Sequence, residues 1–248
     1  PAVAAHHYVV RVDAALETLR VSARFASPVD SVRARHRVAA RFLLEAADCD
    51  TGLPLERRGR TLTSTQGPIE CIDYVVDLRN AAAAERRNDS LAADNVVVSP
   101  AVWLWQPKTT AKLRVVVRFL PGDGVDVSVP WKPVDGTEHT YEISPSPRSG
   151  RAPAAFGRFL HIREEPSAGV PRIALLRSRG DVDDDAIIGW IRDTAGYVSL
   201  AYGRFPNPDA HVVVMPVGEN GLQSDSPVPF GRVVRDGGES IELFVDER

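Results

Sequence analysis

Hydrophobic and polar positions alternate with period two along much of the chain. In "HHYVVRVDAALETLRVSARF" (residues 6–25), Tyr8, Val10 and Val12 share one face of a first strand, and Leu19, Val21 and Ala23 one face of a second. Alternation of this kind marks half-buried strands. Further strand-like runs follow: "RTLTS", "IECIDYVVDL", "NVVVS", "VWLWQP", "LRVVVRFLP", "VDVSVPW" and "TYEIS". Turn residues separate them, most clearly Pro121-Gly122-Asp123-Gly124 and Asp135-Gly136. Arg alternates with apolar residues over 33–41, which tilts "VRARHRVAARFLLEA" towards strand over helix. "NAAAAERRNDSLAAD" (80–94) is the best helix or loop insertion in this half. The Pro/Ser/Gly-rich stretch 144–153 reads as a long loop, and "AFGRFLHI" and "RIALLRS" beyond it are expected to complete the same sheets. Many short strands without helical interludes predict an antiparallel β-sandwich or saddle over residues 1–180.

The pattern changes at Asp181. "DVDDDAIIGWIRDTAGYVSLAYGRFP" opens with acidic residues, which favour the positive end of a helix. Ile187, Ile191, Ala195, Val198 and Tyr202 then recur at helical spacing, and Gly203 and Pro206 stop the helix. "HVVVMPV" is a continuous apolar run, as in a strand covered on both faces. A Gly- and Pro-containing loop leads to "PFGRVVRDGGESIELFVDER", a strand, a Gly-Gly turn and a second strand. Residues 181–248 therefore read as a small α/β segment of helix, buried strand and β-hairpin after a mainly β domain.

Composition changes this picture little. Hydrophobic residues make up 44% of the 248 and charged residues 25%, as in ordinary globular chains. The net charge of −3 and the scattered Arg residues offer no basic patch for nucleic acid. No apolar run approaches the roughly 20 residues of a membrane span. The chain reads as soluble, with its compartment left open and a periplasmic or secreted location among the readings. Cys49 and Cys71 fit a disulfide and two free thiols equally well, since the compartment decides.

The usual catalytic signatures are absent: no phosphate-cradling Gly-rich loop, no Gly-x-Ser-x-Gly and no Cys-x-x-Cys. None of the six histidines belongs to a His-Glu-x-x-His pair, which would set two zinc ligands on one helical face. His6 and His7 point to opposite faces of one strand, and His161 stands alone in strand context. Trp103 and Trp105 share a face if "VWLWQP" is a strand, and with Trp131 they read as core. "MPVGENGLQSDSPVP" reads as a long irregular loop.

The order of elements resembles the N-terminal region of gluzincin metallopeptidases of the aminopeptidase N and glycyl aminopeptidase type. "WIRDTAGYVSLAYGRFPNPDAHVVVMPV" matches their helix and buried strand, and "VPFGRVVRDGGESIELFVDE" stands where their Gly-rich substrate strand belongs. The Gly-x-Met-Glu-Asn signature is missing; "VGENG" at 217–221 echoes it ahead of the strand that should carry it. The resemblance implies an antiparallel β-domain over 1–180 and the first, incomplete part of a catalytic domain over 181–248. It implies a peptide substrate lined by Phe230, Gly231, Arg232, Gly237, Gly238 and Glu239, with Glu239 placed to meet an ammonium group. It also implies zinc in a longer parent, held by residues beyond Arg248, with no cofactor and no catalytic residue within these 248. A non-catalytic β-sandwich binding or assembly module, or a degenerate peptidase, are the alternatives.

Overall fold

The alternation along the first two strands appears directly as burial, with Tyr8, Val10, Val12, Leu19, Val21 and Ala23 all turned into the core. The computed structural model describes residues 4–85, 94–108, 113–143, 151–162, 171–176, 183–207, 210–217, 228–235 and 239–246. Its largest sheet orders seven strands as β12 (Lys132–Pro133), β13 (Thr140–Ile143), β10 (Arg114–Pro121), β1 (Ala5–Val12), β2 (Thr18–Val29), β7 (Ile69–Asp77) and β4 (Leu43–Asp48). Its pairings are antiparallel except β1 with β10. A four-stranded sheet orders β5 (Glu56–Arg58), β6 (Thr61–Thr63), β3 (Val32–Ala34) and β9 (Trp105–Pro107). A three-stranded sheet orders β11 (Asp126–Ser128), β14 (Ala154–Gly157) and β8 (Asn95–Val98).

One apolar core joins these three sheets. The rings of Trp103, Phe119, Trp131 and Phe156 cluster at its centre, with centroids about 6 Å apart. Two buried phenols clamp the backbone of one residue of β9. The Tyr8 hydroxyl donates to the Trp105 carbonyl at 2.9 Å, and the Trp105 N–H donates to the Tyr74 oxygen at 3.2 Å. Burial pushes the pKa of both tyrosines up, so they stay neutral partners. At the β8–β14 contact, Gly157 has φ +146, and a Cβ there would lie 2.3 Å from the Asp94 carbonyl oxygen. Only glycine lets these two strands approach so closely.

The fourth sheet is mixed and ordered β15 (Leu160–Ile162), β16 (Arg172–Leu175), β17 (His211–Val217), β19 (Ser240–Asp246) and β18 (Phe230–Val234). β16, β17 and β19 run parallel, and the two outer strands are antiparallel to their neighbours. "RIALLRS" and the end of "AFGRFLHI" therefore join this sheet and do not complete the earlier ones. The reason is visible in β16, which is buried at every position and so belongs inside a two-sided layer.

Two other expectations are corrected. Residues 32–46 are not one strand: β3 is followed by a helical turn, α1 (Ala39–Phe42), before β4. Arg57 donates to the Ala40 and Leu43 carbonyls, which the end of that turn leaves open. "NAAAAERRNDSLAAD" contributes the end of α2 (Leu78–Ala83), capped by the Asp77 side chain, and residues 86–93 lie outside the described residues. "VWLWQP" is not a continuous strand. Pro100 opens a helical turn, α3 (Pro100–Trp103), where its fixed φ and missing N–H cost nothing. Trp103 and Trp105 thus come from different elements, though both are fully buried.

The predicted long helix is α4 (Asp184–Tyr202), capped by the Asp183 side chain on the Ala186 N–H and ended by Gly203 at φ 74. Ile188, Ile191 and Ala195 face the sheet, whereas Tyr202 is 73% exposed. A helix of 19 residues is about 28 Å long, and Leu200 and Tyr202 leave its last turn exposed. Among the described residues no helix is long and apolar enough to cross a membrane.

Cys49 and Cys71 form a disulfide, with Cα atoms 5.5 Å apart, between the turn after β4 and β7. Unreduced protein titrated under denaturing conditions should show no free thiol. Cys49→Ser should lower the unfolding free energy by about 3 kcal/mol in urea titration, since the cross-link closes a loop of sequence separation 22. His6 is buried, its Nδ1 accepting the Ala26 N–H at 3.2 Å. Burial, and then the neighbouring His7, hold its pKa below the ordinary 6.5. The unfolded chain therefore binds more protons below about pH 6.5, and stability present above that pH is lost as pH falls. His6→Gln should lose less unfolding free energy than the parent chain between about pH 7 and pH 5.

Candidate substrate edge and apolar groove

The predicted hairpin forms, and β18 is the outer strand of its sheet. Register places Phe230 opposite Phe244, Arg232 opposite Glu242 and Val234 opposite Ser240. These six share one face, because side chains alternate along a strand. Phe244 packs there with Val213 and Met215 of β17 and with Val97 and Ala155 of the three-stranded sheet.

That face holds polar groups the sequence did not mark. Glu242 is fully buried, and Arg232 donates to its Oε2 from Nε at 2.9 Å and Nη2 at 2.5 Å. The guanidinium also lies 5.9 Å from the Phe244 ring centre. Arg232 is thus committed to its own hairpin. One step along the register stand Arg172, His211 and Ser240. The buried His211 contacts the Ser128 Oγ at 2.7 Å through Nε2 and the Ser240 Oγ at 3.3 Å through Nδ1. Arg172 donates to the Trp131 carbonyl at 2.8 Å. These bonds tie the five-stranded sheet to β11 and to the segment just before β12. A signal existed in "SIELFVD", where Ser240 and Glu242 fall in step with Phe244, but it needed the register to be read.

Phe230 is 43% exposed and rests on Phe244, with ring centres 5.5 Å apart. Gly231 is exposed; a Cβ there would meet Leu243 Cδ2 at 3.2 Å. The Glu239 carboxylate accepts from the Asn207 amide, and its backbone carbonyl accepts the His211 N–H at 3.2 Å. Gly237 and Gly238 lie outside the described residues, as does all of "VGENG" but Val217.

On the opposite face, a groove of about 280 Å³ runs between α4 and the hairpin. Trp190, Thr194 and Val198 form its helix wall, and Val233, Ile241 and Leu243 its sheet wall. Phe205, Pro206 and Asn207 close one side, and Arg235 after β18 and Glu239 before β19 complete the lining. A larger, shallow concavity of about 780 Å³ lies over β2, β4 and β7. Its charges are exposed and partly answer one another, as in Arg20–Glu45 at 3.7 Å. Among the described residues, the grouping of metal-ligand types close enough to share an ion is Cys49, Asp50 and Cys71, where the disulfide consumes both thiolates.

Removing the guanidinium takes two charge-assisted hydrogen bonds from the buried Glu242 carboxylate. Arg232→Met should cost about 2–3 kcal/mol in urea unfolding, and adding Glu242→Leu should recover roughly half of it.

No family model matches the chain, and no curated protein sequence does. Among solved structures, the chain is similar to an aminopeptidase N family protein from Idiomarina loihiensis, with a TM-score of 0.64 and 14% identity. The alignment covers 98% of this chain and 42% of that one. Native yeast LTA4 hydrolase aligns over 99% of this chain and 40% of its own, at 10% identity and a TM-score of 0.48, too low to add to the comparison. The chain spans less than half the length of either structure. At such identity the likeness concerns the fold, and the mainly β fold expected from the resemblance is the one the chain shares with the aminopeptidase N family protein.

Proposed function

We propose that this chain supplies the β-domain and one wall of a peptide-binding cleft to a zinc-metallopeptidase-like protein of aminopeptidase type. The observation that carries the reading is β18, which ends its sheet and has no strand on its outer side among the described residues. An edge strand offers backbone N–H and C=O groups to which an extended peptide can add as a further strand. Gly231 keeps side-chain bulk off that edge, and the exposed Phe230 offers a ring beside it. Glu239, at the start of the returning strand, holds the peptide's ammonium by a charge-assisted hydrogen bond. Arg232 acts as a positioning residue, fixing β18 to β19 through Glu242.

The donor set present does not fit zinc. The one candidate grouping among the described residues is a disulfide with a carboxylate, and His211 has both ring nitrogens turned to serines. In this proposal the metal and the catalytic groups belong to residues outside these 248, which are inactive alone.

Two measurements check the reading. A short extended peptide should shift the backbone amide NMR signals of Phe230–Val234, and the same peptide N-methylated at alternate amides should not. The peptide should stay intact when zinc is added. Absence of the amide shifts overturns the edge role. Zinc-dependent cleavage by this chain overturns its inactivity.

A further inference from the structure

Apart from Glu239 on its rim, the groove on the α4 side of the hairpin is unused by a peptide that adds along the sheet edge. We propose that it binds a small zwitterion with an apolar side chain, namely an apolar α-amino acid. The inference rests on Glu239 as an ammonium anchor and extends that reading to the ligand's side chain and carboxylate.

The walls specify the apolar part. Trp190 and Val233 face the groove from helix and sheet while still 46% and 59% exposed, so both have surface left to bury. Val198, Phe205, Ile241 and Leu243 continue the apolar lining between them. The volume of about 280 Å³ falls just under the roughly 300–1,000 Å³ of pockets for drug-sized ligands, which suits a smaller molecule.

The rim specifies the charges. Arg235 follows β18 and Glu239 precedes β19, and both border the groove. Arg235 has no ion pair among the described residues. Glu239 receives the Asn207 amide on Oε2, which leaves Oε1 for a second donor. A lone cation would meet the Arg235 charge, a lone anion would meet Glu239, and an uncharged ligand would answer neither. A zwitterion answers both at once, and its side chain reaches the lining below.

Trp190 provides the readout, because Trp103, Trp105 and Trp131 are buried and their emission should not respond. L-leucine titrated into the 248-residue protein should shift Trp190 emission to the blue and saturate. N-acetylleucine, which lacks the ammonium, and leucinamide, which lacks the carboxylate, should each bind roughly fivefold more weakly. Glycine should produce no shift. Glu239→Gln should abolish the difference between leucine and N-acetylleucine, and Arg235→Gln that between leucine and leucinamide; both residues are exposed, so the fold is not at stake. Equal binding of leucine and its blocked forms, or no response to leucine, overturns the proposal. So does an emission shift that depends on protein concentration alone, which would place a second copy in the groove. If leucine fails while the extended peptide still shifts the β18 amides, the edge reading stands and this one falls.

Discussion

Strand β17 imposes the constraint on which the rest of the C-terminal architecture depends. It pairs in parallel on both sides, and from Val212 to Met215 its residues are apolar on both faces. Such a strand is stable only between two covering layers. α4 supplies one, packing Ile188 and Ile191 over Val212 and Val214. The three-stranded sheet supplies the other, with Val97 and Ala155 against Val213 and Met215. The small α/β segment is therefore built onto the β-domain through a shared apolar layer.

The polar groups in that layer explain its registration. An unsatisfied buried polar group costs about 1–3 kcal/mol, and Ser128 and Ser240 answer both nitrogens of His211. Because Ser128 belongs to one sheet and Ser240 to the other, the two sheets can satisfy His211 in one relative position. The Tyr8 and Tyr74 bonds to Trp105 act alike between the seven- and four-stranded sheets. Apolar burial brings these layers together, and the hydrogen bonds select how they sit.

The hairpin inherits its order from this arrangement. Glu242 would be costly in a buried row, and the Arg232 guanidinium beside it offsets that cost while holding β18 flat on β19. The outer side of β18 is exposed on that rigid support. Exposed sheet edges invite pairing with other chains, and the short length of β18 and its charged Arg232 limit that hazard. The same geometry leaves two distinct surfaces: a backbone edge on the rim of the sheet and an apolar groove on one face.

Local pattern alone determined much of this. The alternation of Tyr8, Val10 and Val12, the apolar run of β17, the acidic start and Gly203 stop of α4, and the hairpin between Phe230 and Asp246 depend on periods and turn residues within a few positions. Other features depended on contacts between residues far apart in the chain. The bond between Cys49 and Cys71, the membership of β15 and β16 in the last sheet and the union of Arg232 with Glu242 are of this kind. Of the residues read as substrate-lining, Phe230, Gly231, Arg232 and Glu239 come together on one hairpin, but only register showed that Arg232 pairs with a buried acid. A period of two says that a side chain faces a layer. Which layer it is, and what waits on the other side, was decided by the packing of β17 between its two covers.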